Sequence, residues 1–343
     1  MKNCLALLLL MGALQMTQAQ DTKIAPYLVK ELAADAIQKI HAETNGGNII
    51  VSATDASPRI EVYIWSGNGR SKELSKEEIN KRLENYELKV AAENHTLTAT
   101  ARAKKGFRDW KNNLSISFTI YVGKEVSTDL QTSGGNISLS GLAGTQDFTT
   151  SGGNITVDHL SGHVKGRTSG GNIRLTELQD DIDLSTSGGN INAENSHGTL
   201  HLSTSGGSLV LNNLQGNIHA STSGGNVRAD NIEGDLSAHT SGGNVDMDNL
   251  SCSLETSTSG GNITVNIKKL GKFVKITNSG GRVNLQVPEG QGMDVRLSAD
   301  RVNATALAGF KGDIKEDRID GALNGGGIPV TVRGGSSIHF SVK

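Results

Sequence analysis

Asp230 and Asp248 come nearest in this chain to a catalytic pair. They stand 18 residues apart, and if that spacing is a structural repeat they lie side by side, ~5 Å apart. Two carboxyl groups about 5–10 Å apart are what glycoside hydrolysis requires, one protonating the leaving oxygen and one attacking or activating water. His201 and His219 share the spacing, and Asp183 precedes His201 by the same step. Neighbouring imidazoles are metal ligands, and the aspartate would be a third. Cys252 is the only cysteine besides Cys4, so removal of an N-terminal leader would leave no partner for a disulfide.

Each group also has a simpler reading. The aspartates belong to an acid-and-amide row (Asp158, Glu194, Asn212, Asp230, Asp248, Asn266) that keeps a sheet surface solvated. The histidines stand in a mixed polar column with Asp147, Lys165 and Asp183, which suits a charge-compensated ladder. Cys252 takes a turn position that is elsewhere Gly144, Gly162, Gly198, Gly216 or Gly234. The Gly-Gly-x-Gly-x-Asp signature of calcium β-rolls recurs every nine residues or so; here the period is doubled and no Asp follows the glycines. No catalytic, cofactor-binding or metal-binding set is complete, so none is assigned.

The shared spacing identifies what positions these side chains. Thr-Ser-Gly-Gly begins at Thr132, Thr150, Thr168, Thr186, Thr204, Thr222, Thr240 and Thr258, eight copies at a constant step of 18. A fixed short period marks a solenoid. Counting from the Thr, positions 6 and 8 are aliphatic from Ile137 and Leu139 through Ile263 and Val265, with mostly polar residues between. That alternation is a strand with one buried face. A second strand falls at positions 15 and 17, and Leu142, Leu160, Leu178, Leu214, Ile232 and Leu250 at position 11 plug the corner between them. One coil cannot bury its own apolar side, but stacked coils can, ~4.8 Å apart. The expected fold is all-β: a single-stranded parallel β-helix, or β-solenoid, with 18-residue coils and a thin aliphatic core. An aromatic content of 3% suits so narrow an interior.

The corner residues read as structural. The pairs Gly134-Gly135, Gly152-Gly153, Gly170-Gly171, Gly188-Gly189, Gly206-Gly207, Gly224-Gly225, Gly242-Gly243 and Gly260-Gly261 are expected where the chain needs positive φ or close backbone approach. Asn136, Asn154, Asn172, Asn190, Asn226, Asn244 and Asn262 follow them, with Ser208 in the remaining coil. These are expected to stack as an amide ladder, donating to one neighbour and accepting from the other. The threonines would do the same with hydroxyls. Ser-Thr-Ser runs such as Ser203–Ser205 resemble ice-binding ladders, but a single Thr column beside a glycine corner makes no flat threonine face.

The chain divides into three parts. Residues 1–19 read as a signal peptide: Lys2, the apolar run Leu5–Leu14, then Thr17 and Ala19 at −3 and −1. Cys4 precedes the run and is not placed as a lipid-anchor cysteine. No later segment has the length and polarity of a membrane helix. Residues 20–130 form irregular β coils and a cap. Thr44–Val51 is an early relative of the repeat, and Arg59–Trp65, Tyr86–Ala91, Thr96–Ala101 and Leu114–Val122 are strands. Ser75 caps a short helix, with Glu78 closing a capping box. Trp65, Phe107 and Trp110 are expected in the cap. Residues 131–343 are the regular solenoid with irregular terminal coils: strands at Met293–Leu297 and Arg301–Ala304, a loop at Lys311–Ile319, and the last coils at Ile328–Val332 and Ile338–Val342. A formal net charge of −2 argues against broad nucleic-acid binding.

The repeated Ser-Gly-Gly-Asn-Ile, the later Gly-x-Ile/Leu strands and the segment ending Phe118-Thr-Ile-Tyr-Val122 resemble the bacterial putative-adhesin β-helix family. They are similar in style to the group named for a Gly-Ile-Asn head motif. The resemblance implies a right-handed coil and a secreted, periplasmic or cell-surface protein. It brings no catalytic residue or cofactor to carry over. Together with the repeat it points to a non-enzymatic solenoid presenting a rigid ladder surface to a surface glycan or envelope protein. A polysaccharide-active β-helix enzyme and an envelope scaffold are the alternatives.

Overall fold

The computed structural model describes residues 25–33, 37–67, 74–107, 112–305 and 307–343. The leader and Trp110 lie outside the described residues. Each regular coil holds two strands joined by the Thr-Ser-Gly-Gly corner, as in Ala143–Thr150 followed by Ile155–Asp158. Both strands pair in parallel with the next coil: Thr150 faces Thr168 and Ile155 faces Ile173. From Leu209 onward the two strands of a turn run together, in Leu209–Thr222, Val227–Thr240 and Val245–Thr258.

The aliphatic columns point inward as their alternation requires. Ile137, Ile155, Ile173 and Ile191 are at most 1% exposed, as are Leu142, Leu160 and Leu178 at the corner. Burying each such side chain contributes about 1.5–3 kcal/mol. Three rings nevertheless enter the core: Phe118, Phe148 and Phe340 are fully buried. Phe148 fits because the next coil places Gly166 beside it; a Cβ there would lie 2.0 Å from Phe148 Cε2. Phe340 likewise faces Ala304. Large and small residues on adjacent coils keep the packing dense.

The N-terminal part departs from sequential stacking. Its elements are β1 (Leu28–Glu31), β2 (Lys39–Thr44), β3 (Ile49–Ala53), β4 (Arg59–Ser66), α1 (Lys76–Leu83), β5 (Tyr86–Glu93), β6 (Thr96–Ala103), β7 (Leu114–Val122), β8 (Ser127–Thr132) and β9 (Ile137–Ser140). The β2–β3 coil pairs in parallel with β8 and β9 on one side and with β6 and β7 on the other. The first coil is therefore clamped inside the stack. The pairing turns antiparallel beyond it: β5 lies on β6, β4 on β7 and β1 on β4.

The helix starts at Ser75, whose Oγ accepts from the Glu78 N–H at 3.3 Å. The Glu78 carboxylate bonds Arg82 Nε at 2.6 Å, one turn on. Phe107 packs edge-on against Tyr86, at 5.7 Å between ring centres. Trp65 lies on the outward face of β4, one of the antiparallel strands that cover the N-terminal end. Ile60, Val62 and Ile64 bury one face of β4, so Arg59, Glu61, Tyr63 and Trp65 occupy the other.

The C-terminal end repeats the clamp. Strands Ile328–Arg333 and Ser337–Val342 lie on the coil that ends at Asn278 and Val287. They are themselves covered by Met293–Ser298 and Arg301–Thr305. The strands expected to be last are thus enclosed, and an earlier stretch of chain ends the stack. Lys311–Ile319, expected as a loop, contributes to a hairpin: Phe310–Ile314 pairs antiparallel with Arg318–Leu323, which covers Met293–Ser298. Lys311, Asp313, Arg318 and Asp320 alternate along its strands, and Lys315, Glu316 and Asp317 form the turn. A solenoid end exposes unpaired backbone and apolar core, and charged antiparallel strands close both ends.

Candidate functional site

The corner is where the repeat's unvarying residues meet. In the second glycine column, a Cβ on Gly153, Gly171, Gly189, Gly207, Gly225, Gly243 or Gly261 would lie 1.8–2.0 Å from a carbonyl oxygen of the preceding coil. The need is close approach, because neither glycine of the pair has positive φ. Positive φ falls at position 10, at His159, Glu177, Asn195, Asn213, Asn231 and Asn249 (φ 52–56°), and at the position-13 glycines.

Each corner threonine is buried and makes two hydrogen bonds. Thr186 Oγ1 donates to the Gly171 carbonyl at 2.8 Å and accepts from the Gly189 N–H at 3.2 Å. The threonine column is thus turned inward, and no hydroxyl ladder faces water there. The asparagine ladder exists in a different form from the expected amide stack. Asn154 N–H donates to Asn136 Oδ1, Asn172 N–H to Asn154 Oδ1 and Asn190 N–H to Asn172 Oδ1, each at 2.8 Å. The side-chain carbonyl captures the next coil's backbone donor, and the column continues through Ser208, Asn226, Asn244 and Asn262. A side chain-to-side chain amide ladder occurs instead at position 10: Asn213 Nδ2 donates to Asn195 Oδ1 at 3.0 Å and Asn231 Nδ2 to Asn213 Oδ1 at 2.9 Å. Its signal was legible, since asparagine tolerates the left-handed region better than most residues.

Asp230 and Asp248 are neighbours on adjacent coils, as their spacing predicts. Both are exposed. Asp230 Oδ1 accepts from Asn249 Nδ2 at 2.7 Å, and Asp248 Oδ1 from Asn266 Nδ2. These two carboxylates are therefore each tied to an amide of the following coil. His201 and His219 stack with ring centres 4.9 Å apart and planes 3° from parallel. Ring lone pairs lie in the ring planes, so parallel stacked imidazoles do not converge on one ion. Among the described residues, no group of three or more His, Cys, Asp or Glu side chains is arranged to hold a metal. The pair lines a shallow groove of about 290 Å³ with Asp183, Ser203 and His239. His239 is held by Ser237 at 2.9 Å and Ser257 at 2.8 Å.

Cys252 is 1% exposed, and burial pushes its thiol up to about 12. A raised value favours the neutral thiol, so the nucleophilic thiolate is scarce below that pH. Native protein produced without residues 1–19 should leave an aromatic disulfide reagent such as Ellman's reagent unconsumed at pH 8, and one thiol per chain should react after denaturation. Rapid native reaction would contradict this burial.

One cluster of side chains escaped the column analysis because it lies outside the repeat. On the outward face of β4, Glu61 accepts from Arg59 Nε and from the Tyr63 hydroxyl, both at 2.7 Å. The Arg59 guanidinium sits 4.0 Å from the centre of the Tyr121 ring on β7. Tyr63 and Trp65 have ring centres 6.4 Å apart and planes tilted by 50°. Bonding to Glu61, followed by burial, pushes the Tyr63 phenol up to about 12. The phenol therefore remains a proton donor at neutral pH.

A family described as Toastrack DUF4097 matches residues 37–248 and 173–304. No curated protein matches the chain. Among solved structures, a putative cell adhesion protein from Clostridium sporogenes is 13% identical, covering 92% of this chain and 98% of its own, with a TM-score of 0.20. A putative lipid binding protein from Parabacteroides distasonis is 16% identical, covering 93% and 99%, with a TM-score of 0.32. A putative adhesin from Bacteroides fragilis is also 16% identical, covering 93% and 99%, with a TM-score of 0.25. With scores this low, the architecture rests on the strand pairing itself.

Proposed function

This chain belongs to the Toastrack DUF4097 family, and from that membership we propose a secreted or cell-surface β-solenoid that works without catalysis, as an adhesin presenting a rigid face to a glycan or protein partner. The observation that carries the reading is a division of labour along the repeat. Of the four residues that recur in every coil, Thr and the second Gly are consumed by hydrogen bonds and close contacts at the corner, while Ser and the first Gly form its exposed edge. The outward positions of the strands, by contrast, change from coil to coil. Position 7 alone runs Ser138, Thr156, Arg174, Asn192, Val210, Arg228, Asp246, Thr264. Parallel pairing with the neighbouring coils holds these side chains in fixed rows. A rigid surface lowers the ordering cost of binding.

The test is binding of fluorescently labelled mature chain to intact bacterial and epithelial cells. Saturable binding is expected, reduced in a variant whose position-7 residues are all serine. Failure to bind any cell surface, or equal binding by that variant and by a variant altered at every other outward position, would remove the support for display.

A further inference from the structure

Every tyrosine and tryptophan of the chain lies between residues 27 and 121: Tyr27, Tyr63, Trp65, Tyr86, Trp110 and Tyr121. The 222 residues after Tyr121 contain none. Two of the six have structural duties. Tyr86 accepts from the Leu114 N–H at 2.8 Å within the core, and Tyr27 donates to Asn80 Oδ1 at 2.9 Å. Tyr63, Trp65 and Tyr121 have no such duty in the core. They lie partly exposed on the outward face of the N-terminal sheet.

Their neighbours make this region unlike the rest of the sheet. Val29 faces Glu61 from β1, and Val29 and Ile50 are among the few large aliphatic side chains exposed in the described structure. Apart from Val210, the row of Ile50 carries serine, threonine, asparagine and charged groups elsewhere. Arg59 is the cationic centre of the patch, and it is already matched by Glu61 at 2.7 Å and faced by Glu31 across the β1–β4 pair. The patch thus combines apolar ring faces with planar donors and acceptors, the Arg59 charge being fully countered by Glu61 and Glu31.

We infer that the outward face of β4 and β7 is a carbohydrate-binding surface for neutral, pyranose-containing glycans. This rests on the display reading above and adds to the repeat rows a second face, outside the repeat, with a stated partner class. A pyranose has an apolar C–H face and a rim of hydroxyls. The apolar face stacks on aromatic rings, here the two tilted rings of Tyr63 and Trp65. The hydroxyl rim accepts hydrogen bonds from one planar group, the Arg59 guanidinium, and donates them to another, the Glu61 carboxylate. Two carboxylates, Glu61 and Glu31, face the one guanidinium, which disfavours an acidic partner. Aromatic and arginine side chains on a rigid sheet also lose little freedom on binding.

The probe is an array of neutral oligosaccharides of glucose, galactose, mannose and N-acetylglucosamine, with sialylated and sulfated members beside them. Mature protein should bind at least one neutral member. Tyr63→Ala and Trp65→Ala should each weaken that binding about tenfold, the size of a lost ring contact. Tyr63→Phe, which keeps the ring, should lose less than Tyr63→Ala. The Asp230→Asn/Asp248→Asn double variant, far along the solenoid, should bind as the parent. Circular dichroism establishes that each variant is folded. Should Trp65→Ala fail to fold, Trp65 fluorescence in a Trp110→Phe background should still change on titration with the bound sugar. Binding only to acidic glycans, no array binding at all, or unchanged binding by the Tyr63→Ala and Trp65→Ala variants would overturn the inference. If the array is blank while intact cells still bind the chain, the partner class fails and display stands. If neither binds, both fail.

Discussion

Deleting residues 328–343 should unfold a longer stretch than it removes. In a solenoid stacked strictly in chain order, losing the last segment would expose one fresh coil and leave the others in place. Here the deleted strands are enclosed. Val330 lies between Val274 and Val295, and Ile338 between Val283 and Val302. Their removal takes the floor from under Met293–Ser298 and Arg301–Thr305 and the hairpin beyond them. Val330, Val332, Ile338, Phe340 and Val342 are all buried. At about 1.5–3 kcal/mol per side chain the gross loss is on the order of 10 kcal/mol, an upper estimate because unfolded chains are partly compact. Amide hydrogen exchange reads the outcome. Protection should vanish from residues 293–323 and weaken in residues 263–287. It should persist through the middle coils, because coils in a repeat array contact only their neighbours. Protection retained at residues 293–305 would show that the C-terminal coil is not enclosed.

The second large effect should distinguish two adjacent glycines. Gly189→Ala places a Cβ 2.0 Å from the Gly171 carbonyl oxygen and 2.4 Å from its carbon. That contact is with backbone, so relief requires the two coils to separate at the corner. Separation would strain the Thr186 hydroxyl, which bridges the same two glycines. Overpacking alone costs about 1–3 kcal/mol, and an unsatisfied buried backbone group adds about 1–3 kcal/mol. A loss of about 3 kcal/mol or more is therefore expected in chemical denaturation. Gly188→Ala meets nothing closer than the Ser169 carbonyl oxygen at 3.6 Å, an ordinary van der Waals contact, and should cost about 1 kcal/mol or less. Equal effects at the two sites would contradict the close-approach explanation of the corner. Gly207 and Gly206 offer the same comparison one coil on, at 1.9 and 3.6 Å.

These contrasts show what was legible from the chain alone. Thr-Ser-Gly-Gly at a constant step marked the corner, and aliphatic alternation marked the buried columns, because neighbours in a parallel stack are set by the period. The spacing also brought Asp230 beside Asp248 and His201 beside His219, as the strand register has them. It did not say how those pairs would be used. Amide partners from the next coil engage the aspartates, and parallel stacking aligns the imidazoles. Both facts depend on side-chain orientation rather than on adjacency. The glycine pair was read for two causes, positive φ or close approach, and the backbone chose the second.

By itself, then, the amino-acid order determined the coil, its corner and which residues look inward, since an 18-residue period imposes the same neighbours again and again. Tertiary structure alone decided the ends. There the period lapses, several strands compete for the same open edge, and hydrogen bonding and apolar burial are satisfied together only when the first and last coils are enclosed by parallel strands and antiparallel strands close the stack beyond them. The same folding turned Trp65 and Tyr63 outward on β4, because Ile60, Val62 and Ile64 on its opposite face had the core to fill.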